Sequence, residues 1–255
     1  MLDALRGLAL VWMTFFHLAF DLGAAGYIHQ DFYADPVWTW QRNCILAVFL
    51  WCAGASQALA LHRGQSWPAF WRRWWQIAGC ALLVTVGSLL MFPQSFIYFG
   101  VLHGMAVMLV VARLIAVWGR WLWLAGALAI ATKWIAACAI STWVGASFIN
   151  EKAWNWLGLV SVKPITEDFV PLVPWLGVVW WGMACAQWWL ARPAKQAVAK
   201  REGKRPASAA IPQAPALPSV LFPLATLGRY SLRYYMLHQP VLLGGVWLWG
   251  RFNGS

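Results

Sequence analysis

Leu2 to Leu22 reads LDALRGLALVWMTFFHLAFDL. At ~1.5 Å per residue, this stretch is long enough to cross the hydrocarbon core of a bilayer as a helix. Yet it carries Asp3, Arg6, Thr14, His17 and Asp21. On a helix turning about 100° per residue, Asp3, Arg6 and Asp21 fall within roughly 40° of His17, and Thr14 within about 60°. One side of an otherwise apolar helix therefore bears a polar stripe from end to end. An ionisable group facing lipid costs at least ~2.5–3.5 kcal/mol, so the stripe must face protein or water.

Composition says what surrounds that helix. The 255 residues are 62% hydrophobic and only 11% charged, where a soluble domain carries roughly 25% charge. Such a chain is an all-α, polytopic membrane helix bundle, and it has too many apolar segments to be a leader peptide plus a soluble domain. Its 22 Trp suit a protein with many membrane interfaces, where indole rings settle at headgroup level. The net charge of +11 reflects basic loops that orient the protein, not a nucleic-acid partner. Cys44, Cys52, Cys80, Cys138 and Cys185 lie in or beside apolar runs and form no CxxC pair. They read as small core residues rather than disulfides or zinc ligands.

Seven crossings are expected. The first ends near Leu22, the second covers about Arg42 to Leu61, and the third about Trp74 to Phe92. The intervening HRGQSWPAFWRRWW, from His62, reads as an interfacial segment. The fourth helix covers about Phe99 to Trp118 and the fifth about Trp121 to Thr142. The sixth covers about Phe169 to Leu190, and the seventh, interrupted by Pro240, about Leu221 to Trp249. Residues 1–190 hold six crossings, 191–219 read as a flexible basic linker rich in Pro, Ala, Lys and Arg, and 220–255 hold the last. With a cytoplasmic N-terminus, Arg63, Arg72, Arg73, Arg113, Arg120, the six basic residues from Arg192 to Arg205, Arg229 and Arg233 all fall inside. Only Arg42, Lys152, Lys163 and Arg251 fall outside, a strong asymmetry under the positive-inside rule.

Orientation converts position into depth. His17, His103 and His238 then share the outer half of the membrane on three helices, with Gln239, Arg42, Glu167 and Asp168 nearby. His17 and Asp21 are spaced i, i+4, so the carboxylate can reach the imidazole, fix its tautomer and raise its basicity. The bland alternative is a His–Asp hydrogen bond that only holds helices together. His103 equally suits a satisfied core position, with Gly100 and Gly104 serving close helix packing. Pro240 frees a backbone carbonyl near His238, which suits a binding site or a plain kink. At the other end Arg6 suits a plain ion pair with Asp3, or, together with Arg229 and Arg233, phosphates or lipid headgroups. Lys133 is central and reads as snorkelling or paired. His29 and His62 are loop residues. The histidines lack the local spacing of a zinc site, and no metal is expected.

LDALRGLALVWMTFFHLAFDL resembles the opening helix of the transmembrane acyltransferases, with further likeness in FLWCAGASQALAL, FIYFGVLHGMAVML, KPITEDFVPLVPWLGVVWWGMA and LGRYSLRYYMLHQPVLL. The chain is most similar to the bacterial DUF1624 branch, related to the catalytic domain of heparan-alpha-glucosaminide N-acetyltransferase. The resemblance implies an inner-membrane enzyme moving acetyl from cytoplasmic acetyl-CoA to a sugar or glycan outside. His17, oriented by Asp21, would be base or nucleophile. Arg6, Arg229 and Arg233 would meet the donor's phosphates. His103, His238, Gln239, Arg42, Glu167 and Asp168 would lie on the acceptor side. Two departures stand beside it. The N-acetyltransferase has its histidine in the segment after the first helix, which points to the neighbourhood of His29. The chain also has fewer helices and opens abruptly on Leu2, so a missing upstream residue is expected.

Two rival functions use the same residues. A proton-coupled transporter or permease would use the polar cluster as a relay, but no internal repeat supports alternating access. A non-catalytic membrane subunit would use the histidines as interhelical contacts.

Overall fold

In a computed structural model, which describes residues 1–142, 149–201 and 218–252, eight α-helices form the described part of the chain. They are α1 (Leu2–Ala24), α2 (Pro36–His62), α3 (Trp67–Met91), α4 (Val101–Leu114), α5 (Trp121–Thr142), α6 (Leu172–Arg201), α7 (Phe222–Arg229) and α8 (Ser231–Phe252). Among the described residues, α1, α2 and α3 are long and apolar enough to cross a membrane. The protein is thus all-helical and built for a bilayer.

Several boundaries differ from the sequence reading. The second helix begins at Pro36, six residues before Arg42. Asp35 caps it by accepting a hydrogen bond from Val37 N at 2.7 Å, and Pro36 supplies the fixed φ that suits a first turn. The segment expected to lie at the interface is the start of α3, where Pro68 again occupies the first turn. Trp67, Trp71, Trp74 and Trp75 stack along it. The fourth helix has only 14 residues before a short 3-10 turn, Ala116–Trp118. The sixth runs on to Arg201, into the stretch expected to be linker. The remainder of that stretch, 202–217, and the side chains of Cys138 and the basic residues 195–205 lie outside the described residues. The fifth helix has the expected bounds.

The largest correction concerns the last crossing. It is two helices, broken at Tyr230 and not at Pro240, which sits within α8. The short α7 lies against the first turns of α1, so closely that a Cβ at Gly7 would meet Leu224 O at 1.9 Å and one at Gly228 would meet Asp3 O at 1.8 Å. Past Tyr230 the chain turns, and α8 climbs beside α1 in the same direction: Thr14 meets Tyr234, His17 meets His238, and Asp21 meets Gln239. Glycine serves the same close approach between α2 and α6, where Gly54 faces Val179 O and Gly182 faces Trp51 O. The main core lies among α2, α3, α4 and α6, around Leu50, Met108, Val179 and Met183. A second, smaller cluster joins Leu10, Met13 and Phe16 of α1 to Ile45 of α2, with Leu227, Tyr234 and Tyr235 packed against it.

Candidate functional site

The site is built on two parallel helices, α1 and α8. At its lower edge Thr14 Oγ1 donates to Leu10 O at 2.8 Å, so the 2.6 Å contact with Tyr234 is donated by the tyrosine hydroxyl. One turn higher, the rings of His17 and His238 meet with centroids 5.2 Å apart at 63°. His17 is half-buried, while His238 is only 8% exposed. Tyr234 stacks on the His238 ring at 6.1 Å and 9°, and Tyr235 packs on it at 5.5 Å.

His238 has a defined tautomer. Its Nδ1 lies 2.6 Å from Tyr235 O, and a carbonyl only accepts, so Nδ1 carries the proton. The Nε2 lone pair is buried and, among the described residues, has no hydrogen-bond partner. The carbonyl used is that of Tyr235, three residues back, and not the one that Pro240 leaves free.

Asp21 is buried at the top of the site. Both of its oxygens accept from Gln239 Nε2, at 2.9 and 3.2 Å. No hydrogen bond joins Asp21 to His17 among the described residues. The pairing expected from i, i+4 spacing is therefore replaced by one between α1 and α8. It fixes the amide of Gln239 with its buried Oε1 unpartnered. Among the described residues two buried acceptors on α8, His238 Nε2 beside His17 and Gln239 Oε1 beside Asp21, thus have no hydrogen-bond partner. An unpaired buried acceptor costs about 1–3 kcal/mol.

The structure brings His17, Asp21, His238 and Gln239 together and places His103 elsewhere. His103 Nδ1 accepts from Gly100 N at 3.3 Å. Its Nε2 then donates to Thr85 Oγ1 at 3.0 Å, and Thr85 donates to Ile97 O at 2.8 Å. Both nitrogens are used in closing the start of α4 against α3.

Glu167 and Asp168 are likewise structural in their contacts. Asp168 Oδ2 accepts from Val101 N at 2.8 Å, capping α4 from a distant segment. Gly100 permits this, since a Cβ there would lie 2.3 Å from that oxygen; Gly104 similarly admits Val170 O. Burial pushes the Asp168 carboxyl above its usual range, against the pull of the Val101 N–H, Arg42 and Lys163. Glu167 accepts from Ser95 Oγ, and its backbone N donates to Ser95 O at 2.9 Å. Lys163, depressed chiefly by burial and then by Arg42, lies over the Tyr33 ring at 5.3 Å. Arg42, in the second turn of α2, and the loop residues Lys163, Glu167 and Asp168 therefore form a mixed-charge rim. His29 is exposed on the α1–α2 loop.

At the opposite end Arg6 ties three helices. Its Nη1 donates to Asp3 Oδ1 at 3.0 Å and to Gly228 O at 3.1 Å, and Nη2 donates to Ser56 Oγ at 2.5 Å. A guanidinium at the last carbonyls of α7 also complements that helix's dipole. Arg229 and Arg233 are exposed, but the break at Tyr230 puts them on different helices. Arg233 lies over the Tyr230 ring at 5.6 Å.

The family described as heparan-alpha-glucosaminide N-acetyltransferase, catalytic, matches residues 1–240. The chain belongs to this family. Its members are membrane acetyltransferases, and the matched span contains both histidines of the α1–α8 pair and every arginine of the Arg6 end. No curated protein and no solved structure matches the chain. Among the described residues no cluster of three or more His, Cys, Asp or Glu is arranged for a metal.

Sequence reasoning missed Tyr234, Tyr235 and Ser56. The signal for the tyrosines lay in RYYMLHQP: Tyr234 and Tyr235 precede His238 by four and three residues, the spacing that puts side chains on one helical face.

Proposed function

We propose that the protein is an integral-membrane acyltransferase that takes acetyl from cytoplasmic acetyl-CoA and delivers it to a hydroxyl or amine of a sugar or glycan on the periplasmic side of a bacterial inner membrane. The observation that carries this reading is the half-buried His17 facing His238 between α1 and α8, in a chain of an acetyltransferase family. The seven crossings and cytoplasmic N-terminus inferred from the basic residues place Arg6, Arg229 and Arg233 at the donor's side. Arg229 and Arg233 meet the phosphates, and Arg6 holds α7 behind them. The acetyl thioester reaches His17 through the pantetheine arm. His17 deprotonates the acceptor, or takes the acetyl group itself and passes it on. Gln239, fixed by Asp21, offers its Oε1 to the acceptor's hydroxyl or amine. Arg42, Glu167 and Asp168 form the outer rim, and His103 supports it through α4.

Release of free CoA thiol from acetyl-CoA, followed with purified protein and a panel of amino sugars, tests this reading. Sugar-dependent release is expected. A transporter or a non-catalytic subunit leaves the thioester intact. Two further outcomes follow. Arg229→Gln with Arg233→Gln weakens acetyl-CoA binding by about tenfold, at ~1.4 kcal/mol for two lost charge-assisted contacts, while the melting temperature stays near the parent's. Unchanged affinity by calorimetry would assign these arginines to lipid. A reporter fused after Ala207 reads cytoplasmic, and one in the loop 150–153 reads periplasmic; either reversed removes the assignment of sides.

A further inference from the structure

We infer that His238 is the positioning residue for His17: its Nε2 accepts the N–H of His17 and so fixes which His17 nitrogen is left free to meet the substrate. The inference rests on His17 as the reacting group. A catalytic imidazole needs one nitrogen held as a donor so that the other is unprotonated. Spacing assigns the holding role to Asp21, but among the described residues Asp21 accepts from Gln239 and makes no hydrogen bond to His17. The neighbour left is His238, and its chemistry suits the task. Tyr235 O holds the proton on Nδ1, so Nε2 of neutral His238 is an acceptor. That acceptor is buried and unpartnered. The ring is 8% exposed, packed against Tyr234 and Tyr235, and held at Nδ1 by Tyr235 O.

The geometry with His17 completes the case. Two imidazoles facing each other across a ~2.9 Å N–H···N bond have centroids roughly 5 Å apart. The rings of His17 and His238 are 5.2 Å apart. The proposed bond forms when the half-buried His17 turns an N–H toward Nε2 of His238, whose own ring is packed against Tyr234 and Tyr235. The hydroxyl of Tyr234 is engaged with Thr14 and does not compete for that nitrogen. Accepting a hydrogen bond is the whole of the role; His238 need not take a proton.

The test compares two substitutions. His238→Gln keeps a side-chain oxygen able to accept from His17, whereas His238→Phe keeps ring volume and stacking without an acceptor. Nitrogen-15 spectra of the histidine rings in detergent report tautomers directly. The parent is expected to show His238 protonated at Nδ1 and His17 in one tautomer. His238→Phe is expected to give a tautomer mixture at His17 and a fall in kcat of about 10- to 100-fold with KM unchanged. His238→Gln is expected to keep the single tautomer and activity within about tenfold, and Asp21→Asn to keep the single tautomer. A tautomer mixture in the parent overturns the inference, as does a single His17 tautomer in His238→Phe. If His238→Phe does not fold, the parent spectrum still decides. If the parent shows the expected tautomers but transfers no acetyl group, the functional reading fails and the role of His238 stands.

Discussion

His17→Ala is expected to lower acetyl transfer by at least ~10²-fold, the usual scale for loss of a positioned general base. His17→Gln is expected to be as inactive, because an amide of similar reach cannot cycle a proton. Both variants are expected to fold, since His17 is half-buried and its ring contacts are with Phe16 and His238. Asp21→Asn costs less. It weakens the hold on Gln239 and leaves the imidazole in place. A purely structural His17 gives the opposite pattern: Gln rescues, and Ala loses melting temperature along with activity. Steady-state kinetics with thermal melts of the same samples separates the two. A fully active His17→Gln enzyme would remove His17 from the chemistry.

Gly228→Val is expected to destabilise the protein by about 3 kcal/mol or more, at the upper end of overpacking effects. The added Cβ would lie 1.8 Å from Asp3 O and 2.9 Å from Gly7 N, both backbone atoms of α1. A flexible side chain could move aside, but a helix backbone cannot do so without separating α7 from α1. Separation also breaks the bond from Arg6 to Gly228 O. Gly7→Val meets Leu224 O from the other side at 1.9 Å and should behave alike. Gly244→Val, on α8 with open space around it, is the control and should melt with the parent. Equal melting temperatures for all three in detergent would contradict this packing.

The polar stripe of the first helix was legible in full, because helical phase is fixed by residue number alone. Thr14, His17 and Asp21 all face α8, and Asp3 and Arg6 face α7 and α2. What phase could not supply was the identity of the partner. Asp21 sits one turn from His17, but the amide of Gln239 reaches it from another helix and holds both oxygens. That competition is tertiary and leaves no local mark. His103 shows the same limit from the other side. Depth alone put it with His17, whereas Gly100 N and Thr85 occupy both its nitrogens. Two boundary errors were avoidable. Asp35-Pro36, within a stretch read as loop, and Ser66-Trp67-Pro68, within one read as interfacial from its Trp and Arg content, are both helix-start signals. The break at Tyr230 was masked by Pro240, the louder signal. Gly228, two residues before the break, is the nearer signal, because there the chain lies against the α1 backbone at Asp3 O.

The most direct measurement uses purified protein in sealed proteoliposomes, with radiolabelled acetyl-CoA outside and an amino sugar trapped within. Vesicles are sorted by orientation. The expected result is label on the trapped sugar and stoichiometric CoA outside, only where the Arg229–Arg233 face meets the donor, and loss of both with His17→Ala. Intact acetyl-CoA with the parent protein, or equal labelling with His17→Ala, would contradict it.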